Sequence, residues 1–223
     1  MADIEKLVSL YEQNHFRIEM LMENVKTFFE KNPELHQGSL PAVHSVKARM
    51  KSVDHFRDKL QRKQDAGIDE TNLFQKVTDF AGVRVLHIYQ QQFAEIHAAI
   101  MKQVEAGEWV LGEDVVAYSW DPEAKVFFEK LGIGTKLKDT YYTSVHYLLK
   151  PHRDSPFCCE VQVRTLFEEI WGEIDHTINY PHPIEDVACV EELRVLSKYI
   201  SAGTRLADAI FRTHEAFMLR NGK

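Results

Sequence analysis

Three cysteines in 223 residues are too few for a disulfide framework, and two of them, Cys158 and Cys159, are neighbours that rarely pair with each other. The simplest expectation is a reduced compartment, the cytoplasm. The N-terminus lacks the pattern of a secretory leader. No apolar run approaches the roughly 18 residues that span a bilayer, so no membrane partner is expected. A basic excess is lacking as well: the net charge is -7. That argues against broad non-specific binding to nucleic acid but leaves room for a local basic patch. Internal repeats and low-complexity tracts are absent. So are a Walker A loop, a dinucleotide glycine fingerprint after a strand, a zincin motif and a nucleophile elbow. What remains is an ordinary globular composition, 44% hydrophobic and 27% charged, long enough for one domain with helical extensions.

The most informative stretch is Cys158-Cys159-Glu160-Val161-Gln162-Val163-Arg164-Thr165. As a strand it sets Phe157, Cys159, Val161 and Val163 on one face and Cys158, Glu160, Gln162 and Arg164 on the other. One face packs. The other lines up a carboxylate, an amide and a guanidinium, about 7 Å apart per repeat. A half-buried strand tolerates any polar residues there, but an acid, an amide and a base in a row suit a metal-dependent phosphate site.

The surrounding elements read as follows. Helical spacing without Gly or Pro runs through the first 30 residues. Pro33, Gly38 and Pro41 break it, and a second helix is predicted over Ala42–Lys63. A short helix near Asn72–Val77 leads to Asp79. Val83–Tyr89 reads as a strand, 90–105 as a helix, and Trp109–Leu111 and Val115–Tyr118 as short strands. Asp121-Pro122 starts a helix that ends near Gly132. Gly132 and Gly134 open a mobile loop reaching Thr140. Tyr142–Leu149 and Phe157–Arg164 are expected to form a hairpin. Helices follow at Leu166–Ile178, before Pro181 and Pro183, and at Glu185–Leu219. The order predicts an α+β fold, a mixed β-sheet flanked by helices, with N- and C-terminal helical extensions. The expected division is 1–41, 42–183 and 184–223.

Several clusters carry two readings each. Lys47, Arg49, Lys51, Arg57, Lys59, Arg62 and Lys63 form a basic run that is either a solvated helix face or a polyphosphate cradle. Asp79 at the mouth of a buried strand suits Mg²⁺, which takes one or two carboxylates plus phosphate oxygens, and equally suits a turn. Tyr141 and Tyr142 either pack or stack on a base. His146 is a core histidine or a ligand contact. Glu169, Glu173 and His176 share a helix face, where surface hydrogen bonding competes with a metal site.

These pieces in this order resemble the synthetase domain of the RelA/SpoT family, especially its small alarmone synthetases, across roughly residues 43 to 181. Val46-Lys47-Ala48-Arg49-Met50-Lys51 with Lys59 resembles one family element, and Asp79-Phe80-Ala81-Gly82-Val83-Arg84-Val85 a second. Tyr142-Thr143-Ser144-Val145-His146, Glu160-Val161-Gln162-Val163-Arg164-Thr165, and Trp171 through Glu173, Asp175, His176 and Tyr180 complete the set. The resemblance implies a nucleotidyltransferase-like fold. It also implies transfer of the β,γ-diphosphate of ATP to the 3′-hydroxyl of GDP or GTP, giving (p)ppGpp and AMP. Arg49 and Arg84 would then clasp adenine, and Lys51 and Lys59 would hold the ATP phosphates. Asp79 and Glu160 would bind Mg²⁺, Glu160 and Gln162 would orient or deprotonate the attacking hydroxyl, and Tyr142 would stack on the acceptor base near Lys138 and His146. Arg164 is a weaker carry-over. The family pattern is altered at Tyr141, usually Gly, at His55, usually Ser, and at Pro181, usually Lys. The change at Tyr141 leaves the acceptor open, since relatives also pyrophosphorylate the 3′ end of tRNA or make adenosine alarmones. A third alternative is a non-catalytic nucleotide-binding module. The chain leaves no room for the family's hydrolase or ribosome-binding regions. Its C-terminal helix serves either to form a homo-oligomer or to cover the sheet.

Overall fold

The alternation of Glu160–Arg164 is matched one strand away by Ala81, Val83 and Val85, and these two strands form the centre of the sheet. The computed structural model describes residues 3–38, 40–138, 140–180 and 182–221. In chain order the helices are α1 (Ile4–Lys31), α2 (Val53–Arg62), α3 (Leu73–Lys76), α4 (Gln92–Glu105), α5 (Pro122–Lys130), α6 (Leu166–Asn179) and α7 (Val187–Arg220). The strands are β1 (Ser45–Met50), β2 (Ala81–His87), β3 (Val110–Leu111), β4 (Val116–Ser119), β5 (Gly134–Leu137), β6 (Ser144–Lys150) and β7 (Cys159–Thr165). They make one mixed sheet in the order β1-β2-β7-β6-β4-β5, with β3 paired to β6. β2–β7 and β4–β5 are parallel and the other pairs antiparallel. This is the expected α+β architecture, and β6–β7 is the expected hairpin.

One face of the sheet is apolar and closed. Val83, Val85, Cys159, Val161, Val163, Val145, Tyr147 and Leu149 are all buried there. α1 lies against β1, β2 and β7, with Tyr11, Ile18, Val25 and Phe29 inside the core. α4 adds Phe93, Ile96 and Ile100, and α5 adds Phe128. Buried apolar area of this extent is the dominant stabilising term of the fold.

The opposite face is polar, and only its end is covered. α6 leaves β7 through a capping box in which Thr165 and Glu168 satisfy each other's backbone N–H groups. α7 then packs on α6, with Trp171 Nε1 donating to the Leu193 carbonyl at 3.2 Å. A Cβ at Gly203 would meet Phe167 Cε1 at 2.9 Å, so glycine there is what lets the two helices approach. The outer side of α7 leaves Tyr199, Leu206 and Ile210 exposed.

Two expectations are corrected. The predicted helix over 42–63 is β1 followed by α2. Val43, Val46, Met50 and Val53 mimic helical spacing, but Lys47 and Arg49 alternate with Val46, Ala48 and Met50, and antiparallel pairing with β2 fixes the extended form. Ser52 then caps α2 by accepting from His55 N. The predicted loop after Gly132 contains β5, an edge strand held parallel to β4. Its side chains are largely exposed, so no apolar alternation marks it in the sequence.

α1 also reaches the polar side. Tyr11 is fully buried, stacks on Phe80 at 4.6 Å, and donates its hydroxyl to the Lys51 carbonyl at 2.6 Å. Tyr11→Phe removes that donor and leaves a part-buried carbonyl unpaired. The expected loss is about 1–3 kcal/mol in urea unfolding, and an unchanged midpoint would show that the bond does not anchor the end of β1.

Candidate active site

Strand β1 brings one part of the basic run to the cleft and α2 the other. β1 directs Lys47 and Arg49 to the polar side, and Lys51 follows, its N–H bonded to the Phe80 carbonyl at 2.8 Å. The next residue back from Phe80 is Asp79. Its carboxylate accepts from Lys51 Nζ at 2.9 Å and from Lys59 Nζ, on α2, at 2.6 Å. Burial pushes the Asp79 carboxyl up. The hydrogen bonds and charges of Lys59 and Lys51 outweigh it and hold the group below the usual carboxylate range.

The register across the sheet sets out two rows. Arg49, Gly82, Glu160 and Leu148 are neighbours in one, and Lys47, Arg84, Gln162 and His146 in the other. Gly82 has no side chain, so open space lies between Arg49 and Glu160. Glu160 receives His146 Nδ1 at 3.1 Å, and His146 Nε2 lies 3.1 Å from the Tyr142 hydroxyl. A neutral imidazole protonated on Nδ1 satisfies both contacts, donating to Glu160 and accepting from Tyr142. The Tyr142 hydroxyl is also 3.5 Å from Gln162 Oε1. Burial pushes Glu160 up, but the His146 contact outweighs it and its carboxyl sits below the usual range. Burial raises the Tyr142 phenol, which therefore keeps its proton.

Asp79, Glu160, Gln162, Arg49, Lys51, Lys59 and Arg84 line a single cleft of about 870 Å³. Tyr142 and His146 adjoin it through the hydrogen bonds just described. Lys138 stands further out, its Nζ 4.7 Å from the Tyr118 ring, which in turn meets His146 edge-on at 4.8 Å. Arg164 continues the row on the same face but is buried beneath α6, with its Cζ 5.7 Å over the Tyr142 ring. It is 3% exposed, and its Nη2 lies 2.6 Å from Glu169 Oε2. That contact is an ion pair without hydrogen-bond alignment, and Arg164 Nε has no partner.

Sequence reasoning missed the part played by α6. Glu169 is buried and its Oε1 meets both Lys47 Nζ at 2.8 Å and Arg84 Nη1 at 3.4 Å. Glu173 takes Arg84 Nη1 at 2.5 Å. Tyr180 and His176 stack at 4.6 Å, with the His55 ring edge-on to Tyr180 at 6.3 Å and Arg62 over it at 5.8 Å. Glu173, His176, Tyr180, His55 and Arg62 line the cleft. The i, i+4 acids and His176 were visible on one helix face, but nothing in the sequence said that the face met the basic row. Pro181 lies outside the described residues.

Tyr141 has φ 58°, the left-handed region, and is the one non-glycine residue with positive φ among the described residues. That conformation costs an L-residue about 1–2 kcal/mol. Its ring meets Trp120 edge-on at 5.4 Å and 73°, an arrangement worth about 0.5–1.5 kcal/mol. The two magnitudes are comparable, so the aromatic contact offsets the backbone cost.

Among the described residues no group of three or more His, Cys, Asp or Glu side chains could hold a metal by itself. Asp79 and Glu160 nevertheless face one cleft as ionised, hard oxygen donors. Two carboxylates completed by a ligand's phosphate oxygens fit Mg²⁺. The cleft is strongly cationic for a chain of net charge -7: seven Lys and Arg line it against three Asp and Glu. It is therefore built for a polyanion.

A family model described as a region found in RelA / SpoT proteins matches residues 48–185. The chain belongs to this family. Its fold is similar to that of a GTP pyrophosphokinase family protein from Streptococcus pneumoniae, at 18% identity and TM-score 0.66, covering 96% of both chains. It is also similar to small alarmone synthetase 1 from Bacillus subtilis bound to its product pppGpp, at 19% identity and TM-score 0.63, covering 95% of this chain and 97% of that one. The same Bacillus subtilis protein bound to AMPCPP aligns at 16% identity and TM-score 0.63, covering 92% of this chain and 98% of that one. Comparison with curated proteins gives no match.

Asp79, Glu160 and Glu169 all have carboxyls held below their ordinary values. Each contributes stability that is fully present above about pH 4, the unfolded value, and is lost as pH falls through the depressed one. Asp79→Asn should lower stability at neutral pH and make the acid limb shallower in urea unfolding from pH 7 to pH 3. An acid limb as steep as that of the unaltered protein would show that the two lysines do not hold the Asp79 carboxylate.

Proposed function

We propose that the protein is an ATP-dependent pyrophosphokinase that moves the β,γ-diphosphate of ATP to the 3′-hydroxyl of GDP or GTP, with residues 42–183 as the catalytic unit. One observation carries the reading: Asp79, flanked by Lys51 and Lys59, faces the same cleft as Glu160. Family membership supports it, and so do the fold relatives bound to pppGpp and to AMPCPP.

Phosphoryl-type transfer needs positioning and charge neutralisation more than covalent help. The acceptor 3′-oxygen attacks the β-phosphorus, the bond from that phosphorus to the α,β-bridging oxygen breaks, and AMP leaves. Arg49 and Arg84 offer flat guanidinium faces to adenine, a role lysine lacks. Lys51 and Lys59 exchange Asp79 oxygens for ATP phosphates. Asp79 and Glu160 would then hold Mg²⁺, which supplies charge neutralisation on the transferring phosphates. Glu160, whose contact with His146 holds its carboxyl below the usual range, orients the attacking hydroxyl together with Gln162 and is placed to accept its proton. Tyr142 offers its ring to the acceptor base, and His146 and Lys138 its flank to the acceptor phosphates.

The test offers ATP labelled on its outer phosphates to GDP, GTP, AMP, ADP, ATP and deacylated tRNA in parallel. Label is expected on GDP or GTP, and label on tRNA alone would overturn the reading. Asp79→Ala and Glu160→Ala should each lower transfer by at least about 100-fold. A chelator should abolish transfer and added Mg²⁺ restore it; full activity in either variant would remove that residue from the site.

A further inference from the structure

Tyr142 is held at its hydroxyl, at its backbone and at its ring, over which Arg164 Cζ lies at 5.7 Å. The hydroxyl is fixed by His146. The backbone follows directly from Tyr141, whose left-handed conformation turns the chain into β6. Tyr141 leans on Trp120, and Trp120 sits between two anchored residues. On one side Ser119 is buried. Its Oγ lies 3.1 Å from Thr143 Oγ1, its carbonyl accepts the Lys138 N–H at 3.3 Å, and its Oγ accepts the Asp121 N–H at 3.1 Å. On the other side Asp121 caps α5 by accepting from Glu123 N at 2.9 Å, and α7 grips its carboxylate through Ser201 Oγ and through Arg205 Nη1 at 2.7 Å. The backbone that carries Trp120 is therefore anchored on both sides, and its indole meets the Tyr141 ring edge-on.

We propose that Trp120 and Tyr141 are positioning residues for the acceptor nucleotide: their aromatic contact holds the chain in the turn that presents Tyr142 and so sets affinity for the guanine nucleotide and not for ATP. This inference rests on the pyrophosphokinase reading. The effect is one-sided because of the sheet order. Trp120 follows β4, whereas Arg49, Lys51, Lys59 and Asp79 belong to β1, α2 and the approach to β2, with β7 and β6 lying between β2 and β4. It also gives a physical account of a tyrosine where the left-handed turn favours glycine. Glycine would adopt the turn freely and also leave it freely, whereas Tyr141 adopts it only while Trp120 is there to receive the ring.

The test is a double-mutant cycle read by calorimetric titration with GDP and with AMPCPP. Trp120→Ala should weaken GDP about tenfold, the scale of a modest misplacement. AMPCPP binding should stay within about twofold, as for a distant independent site. In a Tyr141→Gly background the same Trp120→Ala change should alter GDP binding by less than about twofold, because the strained turn no longer needs its support. Trp120→Leu keeps bulk against the turn without an aromatic edge and should act in the same direction if the alanine variant fails to fold. GDP affinity unchanged in the Trp120 variants, equal weakening of GDP and AMPCPP, or an undiminished Trp120→Ala effect in the Tyr141→Gly background would each overturn the inference while leaving the pyrophosphokinase reading in place. A wild-type protein that binds AMPCPP but no guanine nucleotide would overturn both.

Discussion

Lys47 and Arg84 are directly opposite each other across β1 and β2, and like charges in that position repel. A polyanion site on a sheet face creates this problem, because the cations it needs must sit close together before any ligand arrives. Glu169 resolves it here. One of its oxygens meets both Lys47 and Arg84, and the other faces Arg164. Burial pushes the Glu169 carboxyl up, but these cations outweigh it and keep the group ionised. Removing a partner from such a cluster costs far more than the cluster gains in net stability. The three basic residues, the three strands β1, β2 and β7, and α6 are therefore held as one unit. The fold of the polar side depends on this carboxylate as the fold of the other side depends on buried apolar area.

Asp79 does the same for Lys51 and Lys59, but with a different consequence. Its side chain keeps roughly a third of its exposure, at 31%, against 6% for Glu169. The lysines it neutralises line the open cleft, so a phosphate group can compete for them. One carboxylate is buried and structural. The other is accessible and exchangeable. The distinction is one of depth and not of residue type, and it decides which ion pair a ligand can rearrange.

The sequence was legible where one physical signal acted alone. The alternation of β7 and β2 follows from one buried face, so both strands could be read, as could the helix α6 and α5 with Asp121-Pro122. β1 was misread because its basic residues also suit a helix, and pairing with β2 settled the matter. β5 was missed because an exposed edge strand carries no apolar alternation. The residues Asp79, Glu160, Gln162, Arg49, Lys51, Lys59 and Arg84 were named from the sequence, and they share one cleft. Arg164 shares their face, as the alternation implied, but alternation fixes the face of a strand and not what covers it. α6 covers Arg164, and the length of β7 relative to that helix is a tertiary fact.

The same limit explains the Tyr141–Tyr142 turn. The identity of Tyr141 stood out against the family pattern, yet its meaning depended on a torsion angle and on Trp120, twenty-one positions earlier in the chain. A single left-handed residue is worth little on its own in the energy of the whole fold. Its importance comes from location, between Trp120, whose neighbour Asp121 is anchored by α5 and α7, and a tyrosine hydrogen-bonded into the site. The Asp79 side of the cleft is organised by charge, in ion pairs that can exchange. The Tyr142 side is organised by rings and backbone geometry, which have few alternative arrangements. A ligand whose diphosphate must be moved needs the first kind of site, and a ligand whose one hydroxyl must be presented in line needs the second.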